Sequence, residues 1–161
     1  LKLSRLDAGI VVFQSEQVDV NTLINAALHP FLIPMELHDI ALQIDVPKGI
    51  IIQGDSAWFS EAIQNIIKNC VESAGDNGKI EIVCRSNPLF TKIVVHDSGA
   101  GFEKEDLPFL FDRFYCGKNT AATGYGIGLA LCKMIITRQG GTITAQNHPQ
   151  GGAIFSIRFP K

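Results

Sequence analysis

Two asparagines four residues apart, Asn65 and Asn69, stand inside an apolar run with helical spacing. In a helix that separation stacks them on one face. Asparagine is a poor helix former, because its side chain competes for backbone hydrogen bonds. Two of them in mid-helix fit a solvated polar row, which Glu61 precedes and Ser73 continues. They equally fit a cation site, since neutral side-chain carbonyls bind a hard ion such as Mg2+ without adding net charge. A second constellation, His96-Asp97-Ser98-Gly99-Ala100-Gly101, follows an apolar strand-like run. A carboxylate at a strand end, followed by glycines, sits where open sheets place ligands. Ionised aspartate only accepts hydrogen bonds, so it suits the exocyclic amino group of adenine and repels the carbonyl of guanine. The glycines let the backbone approach a flat base, although an ordinary Asp-Ser-Gly turn explains the same residues. The third constellation is Gly124-Tyr125-Gly126-Ile127-Gly128-Leu129, which opens an apolar helix. Glycines there expose backbone N–H groups and the positive dipole end to phosphate. No Gly-Lys-Ser/Thr follows, and the GxGxG spacing is a poor dinucleotide fingerprint. A protein-kinase assignment also fails, for want of an HRD-type loop and a DFG triplet.

The elements that must carry these residues are legible in outline. Residues 1–9, LKLSRLDAG, read as the last turns of a helix that Gly9 ends. Residues 10–19 read as extended. A helix is expected over 20–37, capped by Asp19 and disturbed by Pro30 and Pro34. Leu42, Ile44 and Val46 alternate as a strand, and 50–52 form a short apolar run. The clearest helix starts after Asp55 or Ser56 and carries Phe59, Ala62, Ile63, Ile66, Ile67 and Cys70 at i, i+3, i+4 spacing. Strands are expected at 79–85, 91–95, 142–145 and 153–159, with the last two joined through His148-Pro149-Gln150-Gly151-Gly152. A short apolar helix is expected near 107–114. A buried helix is expected over about 127–139, stopped by Gly140-Gly141. The irregular stretch between Gly99 and Gly124 has the length of a functional loop or lid.

Composition sets the class. Hydrophobic residues make up 46% of the 161 and charged residues 19%, enough for one sizeable core and no more than one domain with an extension. The net charge of −2 gives no bulk electrostatic case for nucleic acid or an anionic membrane. Cys70, Cys84, Cys116 and Cys132 form no CxxC pair, so neither a zinc site nor a disulfide framework is read, and a reducing, cytoplasmic compartment is expected. No apolar run is long enough to span a bilayer. The first residue is Leu rather than Met, and the chain is expected to be an excised piece.

Taken together, the constellations resemble the boxes of sensor histidine kinases. Asn65-Ile-Ile-Lys-Asn69 resembles their N-box, and Asp97-Ser-Gly-Ala-Gly101 their first glycine box. Phe111-Asp-Arg-Phe114-Tyr115 resembles their phenylalanine box, and Gly124-Tyr-Gly-Ile-Gly-Leu129 their second glycine box. The likeness covers about residues 10–161, and residues 1–9 resemble the end of the preceding dimerisation helix. It implies the Bergerat fold: an α/β two-layer sandwich with a mixed sheet, three helices on one face, and an ATP lid over about 102–123. It also implies that Asn69 binds the Mg2+ bridging ATP phosphates, with Asn65 assisting near the phosphates. Asp97 would receive the adenine amino group, with Gly99 and Gly101 shaping the pocket. Gly124, Gly126 and Gly128 would start the phosphate-side helix, flanked by Tyr125, Ile127 and Leu129. Phe111 and Phe114 would anchor the lid beside Tyr115, and Lys118, less securely Arg113, would reach the phosphates.

Three departures bear on affinity and rate. Cys116 stands where a basic residue is common, Glu72 where Lys is common, and Tyr125 where the family carries a small Thr or Ser. The family's related ATPases carry a general-base Glu at the position of Asn65, so its absence favours phosphoryl transfer over hydrolysis. Among His29, His38, His96 and His148, only His38-Asp39-Ile40 faintly resembles a phosphoacceptor box, and it lies after the dimerisation helix. The implied activity is therefore transfer of the γ-phosphoryl from Mg-ATP to a histidine on an absent dimerisation domain, with a response regulator as the next partner. The parent is expected to be a homodimer and the fragment a monomer. A nucleotide-binding regulatory module without catalysis, or another ATPase or anti-sigma kinase on the same fold, are the alternatives.

Overall fold

The computed structural model describes residues 2–113 and 125–161, without the side chains of Lys2, Leu3, Asp7, Tyr125 and Ile127. The described elements are α1 (Lys2–Asp7), β1 (Glu16–Asp19), α2 (Val20–Leu28), α3 (Leu32–Leu37), β2 (Ala41–Asp45), β3 (Ile51–Gly54) and α4 (Ser56–Ala74). They continue with β4 (Lys79–Ser86), β5 (Phe90–Asp97), α5 (Tyr125–Arg138), β6 (Thr142–Asn147) and β7 (Ala153–Pro160). Five strands form one sheet in the order β2-β4-β5-β7-β6, and β1 pairs with β3 in a separate antiparallel ribbon. The sheet is mixed: β2 runs parallel to β4, and every other pairing is antiparallel.

Period-two burial fixes which face is covered. Ile80, Ile82 and Cys84 of β4, Ile93 and Val95 of β5, and Phe155, Ile157 and Phe159 of β7 are buried. Their neighbours Glu81, Arg85, Lys92 and Arg158 lie on the open face. Over the buried face lie α2, α4 and α5, with α4 between the other two. Phe59, Ala62, Ile63, Ile66, Ile67 and Cys70 form the stripe that α4 buries. The result is the two-layer α/β sandwich with three helices on one face that the sequence leads one to expect.

Local differences have local causes. The single helix expected over 20–37 is broken at a 3-10 turn, His29–Phe31, which holds Pro30. Pro34 sits in α3, which is only six residues long. Asp19 stands at the N-cap position but caps no backbone N–H; its Oδ2 accepts from Thr22 Oγ1 at 3.0 Å instead. Of the extended stretch 10–19, only Glu16–Asp19 pairs as a strand. Pro108 reduces the helix expected near 107–114 to a 3-10 turn at Leu107–Phe109. Gly9 and Gly140, at φ +69° and +88°, supply the left-handed residues that end α1 and α5. The helix α5 is buried along Leu129–Cys132, Ile135 and Ile136 but exposes Lys133, Thr137 and Arg138, so it is not apolar all round.

Candidate functional site

The rotation of α4 about its axis decides where its polar row points. Asp55 fixes the helix start: Oδ1 accepts from the Trp58 N–H at 3.1 Å and Oδ2 from the Gln14 N–H at 2.9 Å. With the apolar stripe turned to the sheet, Asn65 and Asn69 lie half-buried on its flank and Ser73 follows toward solvent. Asn65 and Ser73 are eight positions apart, so the row runs for about 12 Å. The Nδ2 of Asn65 is buried with no hydrogen-bond partner among the described residues. A Cβ added to Gly128 would come to 3.6 Å from Asn65 Oδ1, so the Asn65 amide faces the first turn of α5. Leu129, one residue on, is buried in the core.

Asp97 ends β5 on the inward face and is 1% exposed. Its two oxygens have different surroundings. Oδ1 accepts from the Gly99 N–H at 2.8 Å, the Ser73 hydroxyl at 3.3 Å and the Ala153 N–H at 3.4 Å. Oδ2 is buried and has no partner among the described residues. Leaving a buried acceptor unsatisfied costs about 1–3 kcal/mol. The Cys70 thiol lies beside this carboxylate, and burial first, then the Asp97 charge, pushes it well above its ordinary value. The loop after Asp97 hugs α4: a Cβ on Gly99 would collide with the Ser73 hydroxyl and carbonyl. Gly101 takes φ +78°, where a side chain is strained.

The structure thus brings Asn65, Asn69, Asp97, Gly99 and Gly128 to one edge of α4, with Gly101 closing the loop. An ionised carboxylate that keeps one buried oxygen unpaired accepts from an N–H donor on a ligand. The Asn69 and Asn65 amides, about one and two turns along α4 from the Ser73 that touches Asp97, offer both donors and acceptors. Phe111 packs half-buried against the core, with the Lys133 ammonium 5.9 Å from its ring centre. Phe114, Tyr115, Cys116, Lys118 and Gly124 lie outside the described residues. For Tyr125, Gly126 and Ile127 only membership of α5 is described.

Although His96 precedes Asp97 in the chain, alternation along β5 sends it to the opposite, open face, where it stacks on His148 with ring centres 4.3 Å apart. His38 is exposed and bonded to Asp76 at 2.7 Å. Sequence reasoning missed the contributions of Ala153, Gly152 and Asn147. Gly152 stood in the recognised turn and Asn147 and Ala153 flanked it, but their partners lie some fifty residues away and only the folded sheet brings them together.

Comparison with known proteins gives a consistent neighbourhood. The family described as "Histidine kinase-, DNA gyrase B-, and HSP90-like ATPase" matches residues 54–161. The sensor protein KdpD of Escherichia coli is 32% identical over 162 residues, covering 100% of this chain and 18% of KdpD. The sensor-like histidine kinase SenX3 of Mycobacterium bovis is 28% identical, covering 99% of this chain and 40% of SenX3. The chain therefore spans well under half the length of these relatives. The catalytic domain of histidine kinase ThkA superposes with a TM-score of 0.84 at 25% identity, covering 92% of this chain and 96% of that one. A structure of ThkA in complex with the response regulator protein TrrA superposes with a TM-score of 0.80 at 22% identity, covering 99% of this chain and 47% of that one.

Proposed function

Since the chain belongs to the family of histidine kinase-, DNA gyrase B- and HSP90-like ATPases, we propose that it binds Mg-ATP along α4 and offers the γ-phosphoryl group to a histidine on a separate dimerisation domain. The observation that carries this reading is the divided carboxylate of Asp97, held through Oδ1 by three donors and left with a buried Oδ2 that has no partner among the described residues. An adenine amino group would satisfy that oxygen, whereas a guanine carbonyl would face it as a second acceptor. Gly99 and Gly101 let the loop lie against Ser73 and Asn147, where a Cβ would collide, and would thereby shape the wall offered to a flat base.

Along the polar row, Asn69 would hold Mg2+, and Asn65 would place its Nδ2, which has no partner among the described residues, toward the phosphates. The donor set fits the ion: amide oxygen is a hard, neutral ligand. Bound Mg2+ supplies charge neutralisation across the phosphates, which phosphoryl transfer needs more than covalent help from the protein. Gly124, Gly126 and Gly128 would start the phosphate-side helix, with Tyr125, Ile127 and Leu129 beside them. Phe114, Tyr115 and Lys118 would complete the lid. The catalytic domain would be residues 10–161, and residues 1–9 would close a dimerisation helix. His38 is bonded to Asp76, and His96 stacks on His148 on the open face of the sheet; the acceptor would come from another domain. A response regulator would then take the phosphoryl group, in keeping with the ThkA complex with TrrA. No described helix is long and apolar enough to cross a membrane, and a cytoplasmic site of action is part of this proposal.

Glu72, exposed on α4 between Asn69 and Ser73, would repel a phosphate. It favours as a second reading a regulatory module that binds nucleotide without transferring it. Joining the domain to a dimerisation helix pair and measuring phosphohistidine separates the two. The primary test is ATP titration of wild type and Asp97→Asn. The expected result is at least a tenfold loss of affinity in the variant, since a carboxylate hydrogen bond is worth about 1.5–3 kcal/mol. Unchanged affinity would remove the basis for placing adenine at Asp97.

A further inference from the structure

We propose that Asn147 is a positioning residue for the nucleotide site, latching the far end of the loop that begins at Asp97; this rests on the nucleotide reading above. Asn147 is the last residue of β6. Its Oδ1 accepts from the Phe102 N–H at 2.7 Å, and its Nδ2 donates to the Phe102 carbonyl at 2.8 Å. One side chain thereby makes both hydrogen bonds that an adjacent strand would make. It does so where the main chain has already left the sheet, five residues beyond the end of β5. The fit is close: a Cβ on Gly101 would come to 2.6 Å from Asn147 Oδ1. Phe102 is held further by its ring, set edge-on to Phe155 with centres 5.8 Å apart.

The same hairpin grips the loop at its other end. Ala153, the first residue of β7, donates its N–H to Asp97 Oδ1 at 3.4 Å. Gly152, at φ +90°, lies so close to the Asp97 carbonyl that any Cβ would collide with it. The segment Asp97–Phe102 is thus clamped at both ends by β6–β7, an element with no part in the recognised boxes. Its shape, and with it the wall offered to a base, is set from outside α4. Without Asn147 the Phe102 main chain loses both of these hydrogen bonds, and the far end of the loop is held there only by the Phe102 ring against Phe155.

The test uses the whole chain, ATP as probe, and the variants Asn147→Ala and Asn147→Asp. Asn147→Ala is expected to bind ATP about tenfold more weakly, to lose hydrogen-exchange protection at the Phe102 amide, and to keep a cooperative thermal transition. Asn147→Asp restores both hydrogen bonds only when protonated: ionised, it can still accept from the Phe102 N–H but sets a second acceptor against the Phe102 carbonyl, which pushes the two apart. Its Phe102 protection factor should therefore return as the pH falls toward 4, while that of Asn147→Ala does not. Wild-type affinity in a folded Asn147→Ala would overturn the positioning role alone. Failure of the wild type to bind ATP would overturn the nucleotide reading and this role with it. Should the alanine variant not fold, the acid-dependent return of protection in Asn147→Asp decides, and its absence counts against the latch.

Discussion

Cys84 lies on the inward face of β4, fully shielded by the helical layer. Burial pushes its thiol up from an ordinary 9.0 to about 11, and Arg85 next to it offsets that only in part. The unfolded chain therefore releases this proton at lower pH than the folded one. The folded state binds more protons within the window, so stability is complete below pH 9 and is lost as the pH rises from 9 toward about 11. Cys70 and Cys132 are shifted in the same direction. The melting temperature is expected to fall over that window, and less steeply for Cys84→Ala than for wild type. Parallel slopes would disconnect Cys84 from the effect. At this scale the sequence revealed Asp97 well, because a carboxylate at a strand end before glycines is a local pattern. It did not reveal Asn147, whose partner lies 45 residues away. Nor did it show that only one Asp97 oxygen is held.

Among the elements, α4 matters most, since its rotation sets the polar row and its start is tied to the segment before β1. Asp55 joins the two by capping Trp58 and accepting from Gln14, and it is itself buried. Asp55→Ala removes a cap worth about 0.5–2 kcal/mol and strands a backbone donor worth about 1–3 kcal/mol. Denaturant unfolding should show a loss of about 2–4 kcal/mol, and a loss under 0.5 kcal/mol would mean water replaces the carboxylate. Strong periodicity made α4, β4, β5 and the last hairpin legible from the sequence. Pro30 and Pro34 already marked the second half of the helix over 20–37 as disturbed, and the chain breaks there at the 3-10 turn that holds Pro30. The helix misread was the one near 107–114, where Pro108 leaves only a 3-10 turn and hydrophobicity alone does not register it.

For the whole molecule, the order β2-β4-β5-β7-β6 places β7 inside the sheet, between β5 and β6. Phe155, Ile157 and Phe159 of β7 are all buried, and Phe159 meets Phe59 of α4 edge-on at 5.1 Å. Removing residues 153–161 should abolish the cooperative transition, since replacing one buried Phe by Ala already costs about 3–5 kcal/mol. A truncated chain that still melted cooperatively would show that β6 can pair with β5 directly. The same order bears on synthesis. A nascent chain emerges N-terminus first at roughly 5–20 residues per second, so α4, β4 and β5 leave the ribosome while the inner edge of β5 still has no neighbour. The loop at Asp97 waits with them, because Asn147 and Ala153 belong to strands translated well after β5. The nucleotide wall is thus among the final parts of this domain to take shape, and a ribosome stalled before Ala153 would display an open, apolar sheet edge instead of a site.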